Sequence, residues 1–207
     1  MQSLDCSADG ISLCASIVKD GGVIVFPTDT IYGIGCDPFN DAAVGRIFAA
    51  KGRDEKKALP VLVGSIAAAE KLATLGRTGK ALARKFWPGA LTVVAPLADR
   101  NISAKVTASR PSLAVRMPAN SCVLSLLEKC EYLVGTSANL SGQKSSKTAQ
   151  QVLASGLKGY DAILVGNDEL VGTESTIIDI CGPKPTIARA GAIDPVKVME
   201  FLADERL

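Results

Sequence analysis

The chain has 207 residues, 47% of them hydrophobic, and its 23 basic and 21 acidic side chains leave a formal net charge of +2. That length predicts one well-buried domain over residues 1–207, and the near balance of charge excludes bulk attraction to nucleic acid or membrane, so any basic site must be a local concentration. Histidine is absent, which excludes Ser-His-Asp and Cys-His catalysis and most zinc sites.

The N-terminus MQSLDCSADG has no signal-peptide pattern, and no segment reaches the length of a membrane span. The six cysteines, Cys6, Cys14, Cys36, Cys122, Cys130 and Cys181, contain no C-x-x-C pair; the expectation is reduced thiols in a cytoplasm. Apolar positions at helical spacing predict a helix over 11–19, stopped by Gly21-Gly22. Val23–Phe26 is an apolar, β-branched run, read as a buried strand that Pro27 ends. Asp41 can cap a helix carrying Val44, Ile47 and Phe48. Leu59–Val63 reads as a strand, 66–86 as two helices broken near Gly76 and Gly79, and Leu91–Ala95 as a strand. Residues 98–111 are polar and irregular, the pattern of a mobile loop. Strand Leu113–Met117, a helix over 121–129 and strand Tyr132–Thr136 follow. After a polar stretch from Ser137 to Lys147 come a helix at 148–155, strands near 162–165, 175–180 and 185–189, and a helix at 195–203. Alternating strands and helices predict a layered α/β domain. The last connections are too short for helical crossovers, so the sheet should be mixed.

Polar residues cluster where these strands end. Thr28-Asp29-Thr30, with Tyr32-Gly33, follows the first buried strand, the position at which open α/β sheets gather ligands; an ordinary Thr/Gly turn has the same composition. Lys51, Arg53, Lys56 and Lys57 put four cations in seven residues. Cations complement a helix C-terminus, but this density also suits phosphate, with Arg as a planar fork and Lys as a point charge. No G-x-x-x-x-G-K-[ST] is present, so it is not a P-loop. Arg116 interrupts the apolar run Leu113–Met117, which places it either on a solvated edge or at an anion. Thr136-Ser137-Ala138-Asn139-Leu140-Ser141-Gly142, Glu174-Ser175-Thr176 and Arg189-Ala190-Gly191 each adjoin a further strand.

Taken in order, VIVFPTDTIYGIG, KGR, LAVRMP, TSANLSG, ESTIID and R-x-G, from about Gly21 to Gly191, resemble the YrdC family, and within it the short-form threonylcarbamoyl-AMP synthases. The K-x-R pair Lys51/Arg53 and the S-x-N pair Ser137/Asn139 are intact. The resemblance implies a three-layer α/β domain whose twisted, mixed sheet encloses a positively charged cavity. It implies an enzyme, a nucleotidyltransferase that condenses L-threonine, bicarbonate and ATP into threonylcarbamoyl-AMP and pyrophosphate. A tRNA-modifying threonylcarbamoyl-transferase complex then takes the product to the adenosine next to the anticodon. A non-catalytic RNA-binding protein of the same fold is the alternative, and some RNA contact fits either reading.

Residue by residue, the resemblance assigns Thr30, Arg116, Thr136 and Ser175 to L-threonine. Arg116 takes the carboxylate. Lys51, Arg53 and Lys57 are assigned to the ATP phosphates, with Lys51 and Arg53 as the catalytic cations. Ser112, Ala138, Asn139, Ser146 and Arg189 complete the nucleotide site, and Ser145 is as good a match as Ser146. Mg2+ would come with ATP, held by phosphates and water, since no carboxylate cluster presents itself. Two departures stand out: Asp54 follows the K-x-R arginine where relatives often have Pro, and no histidine lies near Leu62.

Overall fold

The computed structural model describes residues 1–166 and 170–206. In chain order the elements are β1 (Gln2–Asp5), α1 (Ala8–Lys19), β2 (Ile24–Pro27), β3 (Tyr32–Gly35), α2 (Asp41–Lys51), β4 (Val61–Val63), α3 (Ile66–Leu72), α4 (Gly76–Phe86), β5 (Leu91–Pro96) and α5 (Ala104–Thr107). They continue with β6 (Ser112–Arg116), α6 (Ser121–Cys130), β7 (Tyr132–Val134), β8 (Thr136–Ser137), α7 (Ala149–Ala154), β9 (Ala162–Val165), β10 (Thr176–Asp179), β11 (Thr186–Arg189) and α8 (Pro195–Asp204).

The α/β class with mixed pairing holds, and the strands divide between two sheets. One has the order β1-β9-β2-β3-β8 and the other β11-β10-β5-β6-β4-β7. In the first, β1 and β2 run parallel to β9, while β2/β3 and β3/β8 are antiparallel. In the second, β10/β5 and β4/β6 are parallel, and β10/β11, β5/β6 and β4/β7 antiparallel. One short segment passes between the sheets: β7 lies in the second, β8 in the first, and Gly135 between them donates to Pro60 O at 2.9 Å.

Strand β2 is buried along its whole length, so its pleat feeds two cores. Ile24 and Phe26 pack with α1 and α6 through Ile11, Cys14, Val18, Val123 and Leu126. Val25 joins the larger core with Ile34, Val44, Ile47, Leu59, Val93 and Val115.

Differences from the expected elements have local causes. Strand β1 has almost no buried face to betray it in sequence, and it forms by pairing with β9 at a sheet edge. Strand β3 hides behind its glycines: a Cβ on Gly35 would lie 1.8 Å from Val134 O, so glycine is what lets the neighbouring chain approach. The N-cap of α2 is Asn40, whose side chain accepts from Ala43 N. Asp41 instead pairs with Lys105 at 2.6 Å and accepts from Ser103 Oγ at 2.7 Å. The 98–111 loop is anchored, with Ile102 and Val106 buried and Val106 O accepting from Leu59 N at 2.8 Å. The two helices of 66–86 part at Ala73–Leu75, and Gly79 lies inside α4.

The expectation of six reduced thiols is corrected for two of them. Cys6, just after β1, and Cys122, in the first turn of α6, form a disulfide with Cα atoms 5.8 Å apart. Packing of α1 on α6 brings these distant positions together. The other four are free, with Cys14 and Cys36 buried.

Candidate functional site

A cavity of about 150 Å³ opens between the two sheets. Its walls come from the turn after β2 (Thr28, Thr30, Ile31), the crossing segment Gly135–Ser137, and the ends of β5, β6, β10 and β11. Six of the expected site residues meet here: Thr30, Arg53, Arg116, Thr136, Ser175 and Arg189.

The turn after β2 is wound around one hydroxyl. Thr28 Oγ1 donates to Ile31 O at 2.7 Å and accepts from the N–H groups of Thr30 and Ile31 at 3.1 and 3.2 Å. This places Thr30, fully buried from bulk solvent, with its Oγ1 3.0 Å from Arg116 Nη1. Arg116 ends β6 and is 6% exposed. Its Nε donates to Gly89 O at 2.9 Å and its Nη2 to Asp29 Oδ1 at 2.6 Å. Burial lowers the Arg116 pKa, and the Asp29 carboxylate opposes that fall. A guanidinium has five N–H donors. Three are committed here, and among the described residues one on each terminal nitrogen has no partner, which suits an anionic group such as a carboxylate.

Beside Arg116 in the same sheet, Ser175 Oγ, just before β10, lies 2.7 Å from Thr92 Oγ1 on β5. Arg189, on β11, donates through Nε and Nη2 to Ser175 O at 3.1 and 2.8 Å, and through Nη1 to Glu174 Oε2. Ser145 Oγ donates to the other oxygen of Glu174 at 3.2 Å. Arg53 is half-buried, with Nε and Nη2 on the carbonyls of Lys57 and Ala58 at 3.3 and 3.1 Å. Desolvation lowers its pKa first; Glu174 then raises it and Arg189 lowers it. Three arginines thus face one cavity whose lining holds a single carboxylate, Glu174, among the described residues.

The remaining expected residues lie elsewhere. Lys51 is not among the residues that line this cavity; its ammonium is turned onto the main-chain carbonyls of Ser137 and Asn139. The reason is Gly52, left-handed at φ 57°, which ends α2 and reverses the chain so that Lys51 and Arg53 face different ways. Ala138 and Asn139, which follow the lining residue Ser137, are buried, and so is Ser146, whose carbonyl accepts from Tyr32 N at 2.8 Å. Lys57 is exposed on the rim segment. Ser112 is at the far end of β6, on the same face as Arg116 and about 13 Å along the strand. Between and beside them the sheet offers half-buried Val94, Ala114 and Ile177.

Asp29, Thr92 and Glu174 belong to the site: the sequence places Asp29 and Glu174 in polar clusters without giving them a role, and it misses Thr92. Thr92 carries the same signal as Arg116, a polar residue inside an apolar strand. Asp29 and Glu174 each precede an expected threonine-site residue, and nothing in their spacing marks them as counter-charges.

The family model Sua5_yciO_yrdC, described as "Telomere recombination", matches residues 16–191. Proteins named threonylcarbamoyl-AMP synthase resemble the chain. The one from Pyrococcus abyssi (strain GE5 / Orsay) is 33% identical over 199 residues, 95% of this chain and 58% of the relative. The one from Bacillus subtilis (strain 168) is 36% identical over 207 residues, 94% of this chain and 60% of the relative. Among solved structures, P. abyssi Sua5 complexed with L-threonine matches with a TM-score of 0.91 and 31% identity, over 97% of this chain and 60% of that one. E. coli YciO matches with a TM-score of 0.84 at 23% identity, over 95% and 97% of the two chains, which speaks for the fold. The chain belongs to the Sua5/YciO/YrdC family. It spans about three fifths of the length of the P. abyssi and B. subtilis relatives. Among the described residues no helix is long and apolar enough to cross a membrane.

Proposed function

We propose that this chain is a threonylcarbamoyl-AMP synthase, joining L-threonine, bicarbonate and ATP into threonylcarbamoyl-AMP with release of pyrophosphate, as a step toward tRNA modification. The observation that carries the reading is the cavity itself. A buried arginine fork with two open N–H groups, Thr30, Thr136 and Ser175 stand in one enclosed space with Arg53 and Arg189. The relatives' name and the threonine-bound Sua5 structure support the same assignment.

In this reading Arg116 takes the threonine carboxylate, and Thr30, Thr136 and Ser175 surround the rest of the amino acid. The cavity's volume of about 150 Å³ is small beside the roughly 300–1,000 Å³ of sites for larger ligands. It suits the amino acid, while the nucleotide extends along the open sheet face toward Ser112. The threonine amine attacks bicarbonate, giving a carbamate and water. A carbamate oxygen then attacks the α-phosphorus, and the bond to pyrophosphate breaks. Burial keeps the short-lived carbamate from water and holds it beside its partner. Arg53 and Arg189 face the charge that builds on the leaving group. Among the described residues no three His, Cys, Asp or Glu side chains gather as a metal site. A Mg2+ ion brought by ATP would be held by its phosphates and water, and Glu174 is the carboxylate that the cavity lining offers among the described residues. Such an ion would add positive charge at the phosphates.

The test is mass spectrometry of purified protein with ATP, Mg2+, L-threonine and bicarbonate, omitting each substrate in turn. A threonylcarbamoyl-AMP peak that needs all three is expected. No adenylate from the complete mixture would sink the reading, and salt-sensitive RNA binding in its place would favour the non-catalytic alternative.

A further inference from the structure

Lys51 closes the last turn of α2 and is 2% exposed. Its Nζ donates to Ser137 O and, at 2.7 Å, to Asn139 O, across 86 and 88 positions of chain. The link is returned by the main chain, since Ser141 N donates to Lys51 O at 2.8 Å. One residue therefore holds both the start and the end of the S-x-N turn. An ammonium has three N–H donors, and two are used here. Swinging the group toward a phosphate would strip two carbonyls of their donor in a buried place. Burial first, and then Arg53, bring the Lys51 pKa down to about 8. A cation kept there against that cost serves its immediate surroundings.

The turn itself is unfinished. Ala138 is buried with its N–H on Tyr32 O at 2.8 Å. Asn139 is 4% exposed, and its Nδ2 donates to Leu140 O and Gln143 O at 2.9 and 2.7 Å. Its Oδ1 is buried with no donor among the described residues. Buried acceptors are ordinarily satisfied, and a nucleoside seated on this turn would bring an N–H or O–H group to it once the turn shifts to uncover the oxygen.

We infer that Lys51 is a positioning residue that acts through the Ser137–Asn139 turn, shaping the nucleoside half of the ATP site while Arg53 and Arg189 meet the phosphates. The inference rests on the reading of the cavity as an ATP site. The two cations of K-x-R then have separate roles: Lys51 builds the wall, and Arg53 meets the ligand.

The experiment is calorimetric titration of the wild-type protein and Lys51→Met with ATP, adenosine and pyrophosphate separately. Methionine keeps most of the side chain's length and removes its donors. The expected result is a loss of at least tenfold in affinity for adenosine and ATP alike, with pyrophosphate affinity within twofold of wild type. Weakened pyrophosphate and ATP binding with unchanged adenosine binding would overturn the inference, because that is how a phosphate ligand behaves. Where Lys51→Met has no cooperative melt, the wild type decides. Acylation of lysines, mapped by mass spectrometry with and without pyrophosphate, should leave Lys51 unmodified in both. Modification of Lys51 in the free protein, with protection by pyrophosphate, would refute the role. Wild-type protein that binds no ATP at all marks failure of the synthase reading, and the acylation result still reports on Lys51.

Discussion

At the scale of single residues, the three cavity arginines differ in what holds them, and so in what their loss does. Arg116 is paired with Asp29, with the two side chains 7% and 16% exposed; removing it leaves a carboxylate uncompensated in a poorly solvated place, which damages the fold together with the site. Arg189 shares Glu174 at a more open position. Among the described residues Arg53 hydrogen-bonds only to two main-chain carbonyls, so Arg53→Ala is the cleaner probe. Its turnover should fall about a hundredfold, near 3 kcal/mol of transition-state stabilisation, with an unchanged thermal midpoint. Steady-state adenylate formation and a melt on the same sample check this, and normal activity would remove Arg53 from the mechanism. In the sequence Arg53, Arg116 and Arg189 are visible because a cation at the end of an apolar strand or helix is conspicuous. Lys51 and Arg53 cannot be told apart there. Both stand in one short cationic run, and the left-handed turn at Gly52 decides which faces the cavity.

At the scale of elements, the buried strands and amphipathic helices were legible because their apolar spacing is strong, as with β2, β6 and α6. What escaped was structure built by close backbone approach. Strand β3, YGIG, has few strand-forming side chains, yet it joins β2 to β8 and so holds one wall of the cavity. Gly35→Ala would push a Cβ against Val134 O, a backbone atom that cannot yield. The expected cost is about 3 kcal/mol, the upper end of overpacking. Gly45, in the middle of α2, is the control: its Cβ would lie 3.5 Å from Lys105 Nζ, an ordinary contact. Gly45→Ala should stabilise by roughly 0.5–1 kcal/mol through helix propensity. Urea titrations of the two variants test both signs, and equal effects would mean that the approach at Gly35 is not what fixes the strand.

At the scale of the whole molecule, the α/β class and mixed pairing followed from element alternation and short late connections. The division into two sheets did not, because the β7–β8 passage through Gly135 is a matter of tertiary register. That passage puts the cavity where both sheets contribute walls, with Thr30 and Thr136 from one and Thr92, Arg116 and Arg189 from the other. A ligand seated there touches both. L-threonine should therefore raise the melting temperature, by an amount equivalent to about 2.7 kcal/mol at a hundredfold excess over its dissociation constant. Differential scanning calorimetry across a threonine series checks it, with L-serine for comparison; a midpoint indifferent to threonine would mean the amino acid does not bridge the sheets. The same linkage reaches beyond the test tube. Proteases take the opened chain, and the opened fraction shrinks as the cavity fills. On the proposed reading, the copy number of this protein would then follow the supply of L-threonine, falling in starvation before any change in its synthesis.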